Sequence, residues 1–515
     1  MGGNRISSPA ALSVLAAAAI AVLSVFAGPA LALAGERHAP AGQTSAEAAP
    51  ASGLTIASTP AGNPIPPGFL GLSVEPKGLA HYAGTNPRAV DPPFLQLIRD
   101  IAPNQSPVLR IGGDGTDWTW WPVPHIRRPP GVKYDLTPQW MSVARTVATT
   151  LHAHLILGIN LEADSRRVAA AEAQAMVSRI GRQAIDALEI GNEPELYGLL
   201  GWYRSASGQH ILGRSPGYDF ADYAREFAGI AHVLPTGVAL AAPSTGAPTW
   251  LDQLGTFLPA EPRVRLVTLH AYPLENCVPG EVATVSELLS NQSSRGLADG
   301  LEPYVATARA HGVRVRVDEM NGVTCGGARG VSDTFTSALW ALDTLFEMAR
   351  VGVDGVNFHT VTGKINEMLV PSFTHGRWQM RVHPEYYGLI MFAQAAPPGS
   401  RLLALSGTPA IGVKVWATRA PDRTVRVVLI NKHLVHAEYV RLRIPSTRAP
   451  ATVEQLRAPS MTAKSGVTLG GQTMDPQTST GVLAGRAKLV TLAPSAGTYR
   501  VRLPAASATM LTLRR

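Results

Sequence analysis

The chain has 515 residues, more than one ordinary domain holds and enough for a large barrel with an appendage. Hydrophobic residues make up 45% and charged residues only 16%, a balance that supplies a core and excludes a disordered chain. The net charge of +8 comes mostly from arginines spread along the sequence, so it reads as a solvated basic surface that would attract an acidic polysaccharide, and not as a nucleic-acid site.

In chain order, Arg5 and the apolar stretch Ala10–Ala27 lead to Ala32-Leu33-Ala34, an A-x-A cleavage pattern. Residues 1–34 therefore read as an export signal, with a retained membrane anchor as the alternative. No later segment is long and apolar enough to span a bilayer, so the mature chain is expected outside the cytoplasm and free of the membrane. Residues 35–52 have the Ala, Ser, Thr and Pro content of a disordered lead-in. Residues 53–70 include the β-like Leu54–Ile56 and are expected to join a C-terminal β domain.

Eight apolar runs of strand length follow: Gly71–Glu75, Val108–Gly112, Leu155–Leu161, Ala187–Asn192, Val238–Ala242, Val264–Tyr272, Val313–Glu319 and Val353–His359. Helical stretches lie between them. One is 138–152, with Thr137 as N-cap and Pro138 in the first turn; others are 219–234 and 331–350. The alternation predicts a (β/α)8 TIM barrel over 71–395. An open doubly wound sheet is the competing architecture, but no glycine-rich phosphate loop follows any run, and no cofactor is expected. From 396 to 515 short β-rich runs separated by turns predict a β-sandwich.

The chain has two cysteines, Cys277 and Cys325. In an exported protein an isolated pair favours a disulfide, and no His/Cys cluster offers a metal site.

A barrel enzyme works at the C-terminal ends of its strands. The polar residues there are Glu75, Arg110 with Gly112-Gly113-Asp114, Asn160, Asn192-Glu193, His270 with Tyr272, Asp318-Glu319, and Asn357 with His359. Glu193 ends the fourth run, followed by Pro194, and Glu319 ends the seventh. Two carboxylates facing each other across the barrel mouth are what glycoside cleavage with retention needs, at about 5–5.5 Å. Strict alternation along Val313–Val317 places Glu319 with the valines. Without a bulge at the strand end, Asp318 competes for the nucleophile's role, as Glu189 does for that of Glu193. Trp118, Trp120 and Trp121 follow the second run, either as a sugar platform or as loop packing.

Several stretches resemble glycoside hydrolase family 79, the β-glucuronidases and heparanase. They are Leu109-Arg110-Ile111-Gly112-Gly113 with Asp117, Gly191-Asn192-Glu193-Pro194, His270-Ala271-Tyr272-Pro273, Cys325-Gly326-Gly327, the run from Gly330 through Asp343, Pro384-Glu385-Tyr386-Tyr387-Gly388, and Val467–Gln472 in the tail. The resemblance covers roughly residues 54–515 and implies a β-glucuronidase with Glu193 as acid/base and Glu319 as nucleophile. It implies that Asn192 contacts the sugar 2-hydroxyl and that Tyr272 hydrogen-bonds the nucleophile. It also implies that the Thr324-Cys325-Gly326 loop takes the glucuronate carboxylate through backbone N–H groups. Heparanase-type members carry Tyr where this chain has Thr324. Arg110, Asn160 and His270 are expected to help bind the substrate, a carbohydrate of the acidic-glycan or glucuronide class. The alternatives are a related glycosidase for a neutral sugar (arabinofuranoside, xyloside or glucoside) and a non-catalytic carbohydrate-binding protein.

Overall fold

The computed structural model describes residues 52–278, 280–445 and 449–514; the expected export signal and nearly all of the lead-in lie outside them. Eight parallel strands close into a barrel: Leu70–Val74, Val108–Ile111, His154–Ile159, Ile185–Ile190, Leu240–Thr245, Val264–Ala271, Arg314–Met320 and Gly355–Thr360. They pair in chain order, and the eighth closes on the first through Val356↔Leu70 to Thr360↔Val74. The strands are buried along almost their whole length, as parallel strands covered by helices must be. The open doubly wound alternative is thereby excluded.

The helices start where side chains can satisfy their first free N–H groups. Thr137 caps Pro138–Leu151 by accepting from the Trp140 amide, and Asp219 forms a reciprocal capping box with Asp222 at Phe220–Ala231. Helix Phe335–Val351 is buried nearly all round because the barrel covers one side and the second domain the other.

The C-terminal domain has a core of its own around Leu54, Val427, Leu442, Tyr499 and Leu511. Its strands form one continuous ten-stranded mixed sheet, which includes Ser52–Ala61 through pairing with Arg401–Ser406 and Glu438–Arg443. The sheet curls until Thr498–Leu503, at its end, meets Val425–Asn431 and Ser507–Leu513 across that core, so the two layers of the sandwich are parts of one sheet. Buried charges join this domain to the barrel. Lys432 Nζ lies 2.8 Å from Asp343 and Lys414 Nζ 2.9 Å from Glu347, while Trp416 Nε1 donates to Asp343 Oδ1 at 2.8 Å. Among the described residues, no helix is long and apolar enough to cross a membrane.

Candidate active site

Glu193 lies three residues beyond the fourth strand. Its backbone is left-handed (φ 44°, ψ 54°), a conformation that costs a non-glycine residue about 1–3 kcal/mol. Two backbone bonds hold it there: the Glu193 amide donates to Ser244 O at 2.8 Å, and the Leu196 amide donates to Glu193 O at 2.9 Å. Asp117 fixes the approach, accepting from the Asn192 amide at 3.1 Å and from the Tyr197 hydroxyl at 2.6 Å. The Glu193 side chain reaches the cleft and accepts a 2.8 Å contact from His270 Nδ1.

Glu319 faces the same space because the seventh strand carries a bulge. Leu269 pairs with Val317 but His270 pairs with Glu319, so Asp318 is an extra residue. The bulge resets the alternation and turns both carboxylates of the Asp318-Glu319 pair into the barrel. Tyr272 donates to Glu319 Oε1 at 2.8 Å and Arg110 Nη1 to Glu319 Oε2 at 2.6 Å. Burial alone would raise the Glu319 carboxyl. The charges of His359, His270 and Arg110, with the Tyr272 hydrogen bond, outweigh it and hold the group well below the usual carboxylate range. An oxygen of Glu193, a ring nitrogen of His270 and an oxygen of Glu319 lie within 4.8 Å of one another.

Asp318 and Glu189 are fully buried beneath this pair. The single Nε–H of Arg110 points to Glu189 Oε2 at 2.7 Å. Asp318 Oδ2, 2.9 Å from the same nitrogen, is left without that proton. Burial and the Glu189 charge push Asp318 well above the carboxylate range, while burial of Glu189 is outweighed by Arg110 and by its hydrogen bond to Asp318. Neither residue meets the cleft.

Three of the residues expected to bind substrate take other places. Arg110 is 0% exposed, and its guanidinium is consumed by Glu189, Glu319, Asn192 Oδ1 at 2.8 Å and Ser244 Oγ at 3.1 Å. Asn160 is also 0% exposed. Both its amide protons go to backbone oxygens, of Asp117 at 3.0 Å and Thr119 at 2.7 Å, and its Oδ1 accepts from the Ala163 amide. It ties loops together and has no donor left for a sugar. The His270 side chain is 1% exposed and spans Glu193 and Ser244, whose Oγ lies 3.2 Å from Nε2. Burial would lower this imidazole, but the charges of Glu319 and Glu193 push it up to about 10.

Asn192 is buried as well, with its Oδ1 accepting from Arg110 and its Nδ2 3.4 Å from Asp114 Oδ1. Asp114 is open to the cleft but walled in by protein; burial and the charges of Glu75, Glu193 and Glu319 push it up to about 8. Glu75 Oε2 accepts from the Gly115 amide at 2.7 Å, and its Oε1 lies 3.5 Å from His359 Nε2. Gly113 (φ 90°) makes this turn possible, since a Cβ there would sit 2.5 Å from Glu75 Oε1. Glu75, Asp114 and His359 were legible as polar residues at or just past strand ends; Ser244 was not, because Pro243 reads as the stop of a strand that runs on to Thr245. Trp120 packs internally, with its Nε1 donating to Asp135 at 2.8 Å.

Cys277 and Cys325 are joined in a disulfide across 48 residues. It ties the loops after the sixth and seventh strands together, helped by Thr324 Oγ1 donating to Glu275 at 2.7 Å and the Thr324 amide donating to Leu274 O at 3.0 Å. Cys325 (φ 52°) and Gly326 (φ 84°) are both left-handed.

Residues 415–510 match the glycosyl hydrolase family 79 C-terminal beta domain. A β-glucuronidase of Neurospora crassa is 22% identical over 434 residues, covering 73% of this chain and 74% of the relative. Among solved structures, a 4-O-α-L-rhamnosyl-β-D-glucuronidase from Fusarium oxysporum 12S superposes with a TM-score of 0.67 at 20% identity, over 89% of this chain and 100% of that one. A family 51 arabinofuranosidase from Xanthomonas axonopodis pv. citri superposes at 0.62 and 16% identity, over 90% and 100%. The barrel and its β domain therefore have the architecture of these glycosidases, and residues 415–510 are similar to the C-terminal beta domain of glycoside hydrolase family 79.

Proposed function

We propose that the protein is a secreted, retaining β-glucuronidase that acts on glucuronides at the ends of or within acidic glycans by double displacement. Protonated Glu193 gives its proton to the departing glycosidic oxygen while ionised Glu319 attacks the anomeric carbon. Breaking that C–O bond leaves a glycosyl ester on Glu319. Glu193, now a carboxylate, takes a proton from water, whose oxygen displaces Glu319 from the sugar. His270 Nδ1, 2.8 Å from Glu193 Oε1, holds the acid/base carboxyl in place. Arg110 and Tyr272 hold the nucleophile ionised and aimed.

The observation that carries the reading is the proximity of Glu193 and Glu319, with the second held ionised by Arg110, His270 and His359. The glucuronide assignment rests on the names of the two relatives and on the tied Thr324-Cys325-Gly326 loop. There, Cys325 and Gly326 take successive left-handed conformations, the kind of turn that can form a backbone anion nest, while the Thr324 amide is committed to Leu274 O. Purified protein should hydrolyse an aryl β-D-glucuronide faster than the aryl arabinofuranoside, xyloside or glucoside; preference for a neutral sugar would overturn the substrate class. Glu193→Ala with added azide should yield the β-glycosyl azide, and an α-product would overturn the retaining mechanism. N-terminal sequencing of secreted protein should begin near Ala34.

A further inference from the structure

Strands Glu438–Arg443 and Thr498–Leu503 of the β domain are antiparallel neighbours at the end of the sheet. Alternate residues, Val440, Leu442, Tyr499, Val501 and Leu503, point into the domain core. The opposite face therefore carries Tyr439, Arg441, Arg443, Arg500 and Arg502, all exposed. The register places Arg441 directly opposite Arg500 and Tyr439 opposite Arg502. Directly opposed like charges on one face of a sheet repel each other. The nearest acidic residue on these strands, Glu438, is on the other pleat and lies 3.7 Å from His433. Among the described residues, none of the four arginines forms an ion pair with a carboxylate.

This face is open as well as basic. The adjoining strand presents Gly53 beside Arg441 and Thr55 beside Arg443, and a Cβ at Gly53 would meet nothing. Tyr439 is 44% exposed, and Arg500 sits over its ring at 5.4 Å. Four cations and an aromatic ring thus share a surface that runs about 14 Å along the strands, longer than one sugar ring.

We propose that this face is a second carbohydrate-binding surface, separate from the catalytic cleft, which holds a polyanionic polysaccharide chain. Uncompensated guanidinium groups pair with carboxylate or sulfate groups along the polymer. Tyr439 stacks on a sugar face, which distinguishes a glycan from other polyanions. The surface concentrates the enzyme on polymer that also offers ends or linkages to cleave; its occupancy does not depend on the chemistry in the cleft.

The test uses the full chain with immobilised polygalacturonate and heparin as carboxylate and sulfate probes, dextran as neutral control and duplex DNA as a polyanion without this sugar stacking. Arg441→Gln/Arg500→Gln should weaken binding to at least one anionic polysaccharide by about tenfold at low salt. It should leave hydrolysis of a small aryl glycoside unchanged. Tyr439→Ala should weaken polysaccharide binding and leave any DNA binding unchanged, and Arg441→Lys/Arg500→Lys should retain most of the affinity. Unchanged polysaccharide binding in the glutamine variant overturns the proposal, as does DNA binding as tight as polysaccharide binding and equally lost. A small-substrate activity that falls with the glutamine variant also overturns the separation of the two sites. Failure of every aryl glycoside in the substrate panel would leave this binding experiment intact.

Discussion

Arg110→Met is the substitution with the largest consequence that touches no solvent. The guanidinium lies 2.7 Å from Glu189, 2.6 Å from Glu319 and 2.9 Å from Asp318, and it is wholly buried. Methionine fills much of the space but leaves Glu189 without its paired guanidinium and Glu319 with only His359 and His270 as cations. Breaking a buried ion pair by removing one partner costs about 3–5 kcal/mol, and that loss should appear in the denaturant midpoint at pH 7. The pH dependence has a definite sign. Glu319 is depressed in the folded state, so its contribution is full above the ordinary carboxylate range and is lost as pH falls through its folded value. In the variant the depression is smaller, the carboxylates take up protons sooner, and the penalty is partly relieved. Urea unfolding of both proteins from pH 7 to pH 4 should therefore show a gap that narrows with acidification. Equal stability at pH 7, or a gap that widens in acid, would refute the assignment of Arg110 as the cation that balances this cluster.

Reduction of Cys277–Cys325 should destabilise the fold by about 4 kcal/mol on a chain-entropy estimate for a 48-residue separation, and should raise KM for a glucuronide more than for a neutral glycoside; denaturation and kinetics with and without reductant measure both. Tyr272→Phe removes the donor at 2.8 Å from Glu319, so kcat should fall roughly tenfold through looser aim, with the acidic limb of the pH–rate profile moving to higher pH. Asp343→Ala strands Lys432 at the domain junction, while Lys414 keeps Glu347, and should cost about 3–5 kcal/mol at neutral pH, read from the unfolding midpoint. Because Asp343 is depressed by those lysines against its burial, the cost should shrink as pH falls through the carboxylate range.

The eight strands were legible because each is a short apolar run ending in polar residues, and barrel geometry then says where those ends converge. The same reading brought Glu193 and Glu319 to one place, but it could not decide between Asp318 and Glu319. That choice is made by a bulge, which depends on the pairing of Leu269 and His270 with the neighbouring strand, a long-range relation that alternation within one segment does not contain. Depth was similarly hidden. Arg110, Asn160 and His270 lie at strand ends like the substrate-facing residues, yet the first two are sealed and the third almost so, because loops from other strands cover them. The Ser332–Asp343 run, read only as a resemblance, includes the carboxylate that receives Lys432, Lys414 and Trp416 from the second domain. The hairpin formed by Leu369–Thr374 and Arg377–Val382 was not anticipated between the eighth run and the β domain.

The central claim is that Glu319, and not the adjacent Asp318, receives the sugar while Glu193 stands across from it. It is tested most directly by trapping the enzyme with a 2-deoxy-2-fluoro-β-D-glucuronosyl fluoride and mapping the modified peptide by mass spectrometry. The account predicts one glucuronosyl ester, located on Glu319, formed in wild type and in Asp318→Asn and absent in Glu319→Gln. An ester on Asp318 or Glu189, or turnover of the activated fluoride by Glu319→Gln through a covalent adduct elsewhere, would contradict it.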